Sequence, residues 1–476
     1  MSSKVQSTVA RKAGIKAKVG YAFGVLPDSI AYNLFYVYFL YFLTDVAGLP
    51  AIYGGIISLL VVLWDAITDP IVGYLSDNSR SKYGRRRPFM LVAIVPLLIC
   101  MILLFSTVNF GPTMSFIYYI VVGIMYWTAY KIYVIPYYAL GAELTDDFDD
   151  RTNLRGIAGV GMYLAMWMVS SGPMVILDRV LASGGTEQKS WVISGAVMGI
   201  IGLVGGLICW RLTKGKELVD MRDFSDKEKD KLIHNYVELF KLKALRRFLW
   251  MTLIYNIAFA IALAAFVYIM DNNLGLSPAK QALYWTIYSA LTLSFVPICN
   301  VIANVIGKKN AMIGLTGVAI LGCFIYYGMG IHSFAMLIGF TIFYNLGNVC
   351  YWTVGYSLMY DNTELDEFVN NKRREGAITG FSSFMQKFGS AIGMYTTGSL
   401  LSFFGYDGGA GEQTAEALQG IITVNTLVPG VIMVIGTIFI VLYPINKVRY
   451  NKLLEILRKR EAGEPYELDD DVKKLF

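Results

Sequence analysis

Residues 56–75 read IISLLVVLWDAITDPIVGYL, an apolar run of bilayer length that carries two acids, Asp65 and Asp69. At 3.6 residues per turn, a spacing of four puts both carboxylates on one face of one helix. An acid turned to lipid at mid-membrane costs at least ~2.5 kcal/mol, so acids placed like this face a bundle interior or a wet cavity. The segment therefore reads as a membrane span with one charged face, beside which a charged species crosses.

The rest of the chain agrees. Its 476 residues are 55% apolar, 16% charged and 14% aromatic, with a mean hydropathy of +0.52, a composition far from that of a soluble domain. Largely apolar runs of bilayer length give roughly twelve spans, from 20–44 to 418–443. Lys4 to Lys18, Arg80 to Arg87, Arg151, Arg155, the 211–247 segment, Lys308, Lys309, Lys372 to Arg374 and the tail all fall on one side, and only Arg179, Lys189 and Lys280 on the other. That asymmetry predicts an even number of spans with both termini cytoplasmic, in a multi-pass protein of the bacterial inner membrane. The net charge of +6 is then a topology signal, with membrane lipid and no nucleic acid as its partner. Residues 1–19 are polar and basic and read as a cytoplasmic extension. All five cysteines fall in predicted spans without paired spacing, which predicts free thiols and no metal site.

Residues 213–246 are the one long polar interruption. Ser225 and Glu228 form a capping box ahead of an amphipathic run, Leu232, Ile233, Tyr236, Leu239 and Phe240. The expected organisation is a bundle over 1–212, a linker with an amphipathic helix over 213–246, a second bundle over 247–443, and a cytoplasmic tail over 444–476. The halves echo one another: AELTDDFDDRTNLRGIAG (142–159) and DNTELDEFVNNKRREGAITG (361–380) each run from acids to basic residues and a Gly-started helix. Such duplication predicts an all-α membrane protein of twelve transmembrane helices in two six-helix bundles, the major facilitator fold, with a central site. A soluble output domain, as a sensor would need, has no room in the linker or tail.

The loop GYLSDNSRSKYGRRRP (73–88) offers Gly73 for close helix approach, Asp77 for pairing, and the cluster Arg85, Arg86 and Arg87 before a helix start at Pro88. With Arg155 and Arg374 these are the expected gating residues. Asp28, Asp65, Asp69, Lys131 and Lys387 are ionisable positions inside spans, and two acids on one face with lysines on other helices predict a polar cavity.

The runs WDAITDPIVGYLSDNSRSKYGRRRPF (64–89), KVGYAFGVLPDSIAYNLFYVYFLYFLTDVAGL (18–49), VIPYYALGAELTDD (134–147) and FMQKFGSAIG (384–393) resemble the glycoside-pentoside-hexuronide:cation symporter family over most of both halves. The D-A-x-x-D-P motif also marks related lysolipid transporters. The resemblance implies that Asp65 and Asp69 form the cation site and that Lys387 sits near it, with Thr68 and Lys131 at changed positions around it. It places Tyr130, Trp352 and Tyr138 among cavity-facing aromatics, which, with Asp28 and Tyr32, make the expected substrate platform, since a ring offers area to a sugar's C–H face.

The departures matter as much. Where the family's melibiose permease has sugar-binding aspartates, this chain has Val134 and Ser29, and Gly159 replaces a sugar-contacting arginine, so galactoside recognition does not carry over. An ammonium at Lys131 would repel sodium from an oxygen cage by several kcal/mol. It can instead hold the acids' charge and release it when one of them is protonated. The expected function is import of a sugar or glycoside, neutral ahead of acidic, with a proton by alternating access, as a monomer, without catalysis or cofactor. The alternatives are a transporter of lysolipids or other amphipaths, and a sodium-coupled hexuronide symporter.

Overall fold

The computed structural model describes residues 12–77, 79, 86–145, 148–215, 232–371, 374–462, 464–466, 468, 470–473 and 475. Among them the regular structure is helical: α1 (Ile15–Tyr41), α2 (Ala51–Asp77), α3 (Arg87–Leu104), α4 (Pro112–Glu143), α5 (Phe148–Ala182), α6 (Glu187–Leu212), α7 (Leu232–Lys241), α8 (Lys243–Tyr268), α9 (Pro278–Ile306), α10 (Lys308–Met329), α11 (Phe334–Cys350), α12 (Tyr356–Asn370), α13 (Glu375–Phe403), α14 (Ala415–Asn425), α15 (Leu427–Val441), α16 (Lys447–Glu461) and α17 (Asp470–Lys473). Ten stretches among the described residues are long and apolar enough to cross a membrane, with α11–α12 counted as one and α14–α15 as another. The helices α1 and α13, of 27 and 29 residues, have the length but are diluted by Lys16, Lys18 and Asp28 in one and Gln386 and Lys387 in the other. Counted with the ten, they give the twelve expected spans.

The duplication read from the loops is written into the packing. In the first half α1 packs on α5 and α6, and α3 on α4 and α6. In the second, α8 packs on α13 and α15, and α10 on α11 and α15, the same scheme with each helix replaced by its counterpart. The ends of α1 and α8 repeat each other too. Each runs into a π-helical turn, Phe42–Val46 or Ile269–Asn273. Each closes with a backbone bond spanning six residues, Leu49 N to Leu43 O at 2.9 Å and Leu276 N to Met270 O at 2.8 Å. The intervening Gly48 and Gly275 sit at φ of 70° and 52°, where other L-residues are strained.

Two compact units form, Met1–Phe42 with Trp64–Arg222 and Pro278–Trp285, and Leu43–Leu63 with Asp223–Ser277 and Thr286–Phe476. Relative to a division at 213–246, the start of α2 groups with the second unit and the start of α9 with the first. The predicted capping box at Ser225 and Glu228 lies outside the described residues. The amphipathic helix is present as α7, where Tyr236 and Phe240 set their rings against Phe381, centroids 5.4 and 6.0 Å apart. The tail is not a plain extension: α16 packs on α12, and the Arg460 guanidinium donates to Phe368 O and Glu367 O at 3.1 and 3.0 Å. All five cysteines are free and buried.

In the first unit, α4 zips onto α1 through a stripe of tyrosines. Tyr126, Tyr133 and Tyr137 donate to Ala31 O, Gly24 O and Tyr21 O at 2.6, 2.9 and 2.9 Å. Their numbers rise as their acceptors' fall, the register of antiparallel neighbours, and their spacing keeps them on one helical face. In a membrane this matters because a buried hydroxyl without a partner is costly. Elsewhere, glycine sets the distance between helices. On α6 a β-carbon at Gly205 would stand 2.7 Å from Phe23 O, the carbonyl whose i+4 donor is lost to Pro27 inside α1. On α13 a β-carbon at Gly389 would stand 2.5 Å from Leu253 O of α8.

At Gly73, read as a point of close approach, a β-carbon meets nothing within 4 Å among the described residues. Gly389→Val should therefore lower the melting temperature in detergent by several degrees, an overpacking cost of ~1–3 kcal/mol, whereas Gly73→Ala should leave it unchanged or raise it by up to ~1 kcal/mol of helix propensity. Equal behaviour of the two variants would refute this assignment of close contacts.

Candidate functional site

The acids of α2 meet one ammonium from α4. Lys131 Nζ lies 2.9 Å from Asp65 Oδ1 and 2.7 Å from Asp69 Oδ1. The Lys131 and Asp65 side chains are only 5% and 1% exposed, while Asp69 keeps 34% of its surface open. One acid is thus sealed inside the unit and the other is within reach of an ion arriving from outside it. Trp64 Nε1 donates to the Thr128 hydroxyl at 2.9 Å, so α2 and α4 are tied one turn away as well. Among the described residues, no group of three or more acid, histidine or cysteine side chains stands where it could hold a metal ion.

Thr68, expected to serve the ion, donates its hydroxyl to Trp64 O and Asp65 O at 3.1 Å each. It is buried and turned back on its own helix, as a threonine inside a helix does when a carbonyl is the nearest acceptor. Lys387 lies half-buried on α13 in the second unit, whereas Asp65, Asp69, Thr68 and Lys131 belong to the first.

Next to Lys131 on α4, Tyr130 faces α1 and continues the tyrosine stripe, but its acceptor is a side chain. Tyr130 OH donates to Asp28 Oδ1 at 2.6 Å, and Tyr138 OH donates to Asp28 Oδ2. Asp28 itself is buried. The two centres adjoin, since Lys131 Nζ stands 5.3 Å from the centroid of the Tyr130 ring.

The aromatic platform needs correction. Tyr130 is buried, its ring edge-on to Trp127 at 4.9 Å, and offers no open face because a buried carboxylate at Asp28 requires its hydroxyl. Tyr32 packs into the same cluster against Tyr36 and Trp127, at 4.5 and 6.4 Å. Tyr138 is 51% exposed. Trp352 lies in the second unit, in the π-helical turn Tyr351–Gly355, partly exposed and stacked on Tyr356 at 5.9 Å.

Of the gating residues, Arg85 and the side chains of Asp77 and Arg155 lie outside the described residues. Arg86 is half-buried just before α3. Arg87 is buried, donates to Trp210 O, and lies over the Trp210 ring with Cζ 4.7 Å from its centroid. It caps the last turn of α6, where a cation is favoured by the helix dipole. The second half repeats the device. Lys309, at the start of α10, donates to Val441 O and Tyr443 O at the end of α15, both at 2.7 Å.

Arg374 grips the buried Asp366 with two donors, Nε to Oδ2 at 2.9 Å and Nη2 to Oδ1 at 2.6 Å, and reaches Glu238 of α7 with Nη1 at 2.7 Å. Asp366, opposed by burial and then helped by Glu238, holds the guanidinium above its ordinary proton affinity. This pair fastens the linker helix to α12 within the second unit. Both Asp366 and Arg374 lie in the 361–380 stretch, eight residues apart, and Glu238 comes from α7. Asp45 was likewise unforeseen: it accepts from Thr44 at 2.5 Å and from Tyr406.

Comparison with known proteins puts this geometry in context. Residues 20–447 match the family described as MFS/sugar transport protein. The chain is 26% identical to an uncharacterized symporter, YnaJ, of Bacillus subtilis over 97% of this chain and 98% of the relative. It is 25% identical to a glucuronide carrier protein homolog of Escherichia coli, covering 95% and 97%, and 26% identical to an isoprimeverose transporter of Lactiplantibacillus pentosus, covering 95% and 93%. A solved bacterial homolog of the human lysosomal transporter Spinster superposes with a TM-score of 0.68 at 13% identity, over 92% of this chain and 97% of that one, a likeness in fold alone.

The pair Lys131–Asp65 should be energetically coupled. Lys131→Met strands a buried carboxylate and should cost ~3–5 kcal/mol of stability, seen as a large fall in melting temperature. Adding Asp65→Asn to it should recover part of that loss. Strictly additive losses in this double-mutant cycle would mean that the contact carries no energy.

Proposed function

Because the chain belongs to the MFS/sugar transport protein family, and within it to the glycoside-pentoside-hexuronide:cation symporters, we propose that it imports a neutral sugar or glycoside together with a proton, with Asp65 and Asp69 as the proton site. It is a transporter and not an enzyme. The observation that carries the proton reading is the Lys131 ammonium seated between the two acids at 2.9 and 2.7 Å. A bound sodium ion would need that same position, and at 4 Å and an effective dielectric of 20 two like charges repel by about 4 kcal/mol. A proton needs no cage. Protonation of the more open Asp69 removes one of the two attractions on the ammonium and frees it to move.

Coupling to substrate runs through α4. Lys131 and Tyr130 are consecutive, so a shift of the ammonium acts on the residue whose hydroxyl holds Asp28. Asp28 with its two tyrosine donors is the sugar contact in this reading: a carboxylate accepts from a sugar hydroxyl, and Tyr138 supplies an exposed ring beside it. A carboxylate at the contact disfavours the carboxylate of a hexuronide beside it, which favours a neutral ligand. Both termini are cytoplasmic on the Lys and Arg distribution, and transport proceeds by alternating access.

Asp65→Asn and Asp69→Asn should each abolish accumulation of labelled sugar against its gradient in vesicles while exchange partly survives, because exchange does not return the empty carrier. A variant that still concentrates substrate as the parent does would make the acids structural. Uptake by the parent should fall with a proton uncoupler and stay unchanged when choline replaces sodium, and uncharged pentosides and hexosides should compete better than a glucuronide. Strong dependence on sodium at fixed pH would overturn the proton assignment.

A further inference from the structure

At the end of the second unit where α9 gives way to α10, a cavity of about 460 Å³ is lined by Lys308, Lys309 and Lys447, with Asn304, Asn310 and Asn446 among its polar neighbours. That size lies within the range of small-molecule sites. Two helices begin in it. The α10 N-cap is Gly307, which has no side chain to satisfy the first amides, whereas α16 begins at Lys447 with its cap Asn446 accepting from Arg449 N at 2.9 Å. Free amides at the start of a helix of 22 residues carry the positive end of its dipole.

The lining holds a single carboxylate, Asp361, bound by Lys308 Nζ at 2.6 Å. Lys309 is committed to the carbonyls of Val441 and Tyr443. Lys447 stands exposed at the mouth, so three ammonium groups face one acid. The mouth is also apolar: Ile306 and Val448 belong to the lining and are 48% and 60% exposed. Since α9 is a membrane span that ends at Ile306 and α10 one that begins at Lys308, the cavity sits at the level where a span leaves the hydrocarbon.

We infer that this cavity is a site for a phosphate anion, presented by the headgroup of an anionic phospholipid. Lysines with helix amides match a phosphate's spread of oxygens, and an apolar rim beside a basic floor matches a headgroup still attached to its acyl chains. The site is remote in sequence from the acids of α2 and is independent of the transport reading.

The test uses the full chain purified in detergent. Its affinities for dioleoylphosphatidylglycerol and dioleoylphosphatidylcholine are measured by native mass spectrometry, and its melting temperature is followed with inorganic phosphate. Phosphatidylglycerol should bind more tightly than phosphatidylcholine. Its affinity should fall about fivefold for each ammonium removed, first in Lys447→Gln and further in Lys447→Gln with Lys308→Gln and Asp361→Asn, which avoids leaving Asp361 without its cation. If inorganic phosphate stabilises the parent but not these variants, and phosphatidylglycerol shows no preference over phosphatidylcholine, the anion site stands and is filled from solution. Phosphatidylglycerol affinity and phosphate response both unchanged in the variants would overturn it.

Discussion

One ammonium held between two carboxylates in the interior of a membrane protein constrains everything around it. Charges there are tolerated only when paired, so α2 and α4 must keep the azimuth that brings Asp65 and Asp69 to Lys131. The helix that carries Lys131 has little freedom left on its neighbouring face. There Tyr126, Tyr130, Tyr133 and Tyr137 are all spent on α1. α4 therefore works as a rigid bar pinned on two sides, by charge to α2 and by hydroxyls to α1. A displacement of Lys131 is therefore passed to the face of α4 that holds α1.

The fold was legible because its causes are local and additive. Span length, the sign of the loops and the echo between 142–159 and 361–380 depend on no side-chain geometry, and they sufficed for the helical duplication. The pairing of Asp65 with Asp69 was legible for the same reason, since a spacing of four fixes a shared face. That Lys131 meets both depends on the rotation of α4, which periodicity leaves open; the clue was that a buried lysine needs an acid and two were on offer.

Competition for hydrogen bonds decided what residue type and periodicity leave open. Tyr130 was expected to offer its face to a sugar, yet Asp28 claimed its hydroxyl and drew the ring into the protein. Thr68, expected around the cation site, gives its hydroxyl to carbonyls of its own helix. Gly73 was read as a point of close approach, and its surroundings are open among the described residues. In each case the residue type was compatible with two environments, and the choice belonged to a partner that sequence does not place.

The duplication is faithful in packing and broken in chemistry. Arg87 and Lys309 cap the ends of α6 and α15 from equivalent positions, and α1 and α8 terminate in the same turn. Yet α9, the counterpart of α2, contains no acid along its 29 residues. The packing scheme is thus repeated, while the pair of acids on one helical face belongs to α2 and is not repeated on α9. Each buried charged group carries a desolvation cost that its partners must offset. The paired acids bear on a single helix, α4, whose residue next to Lys131 is bonded to Asp28.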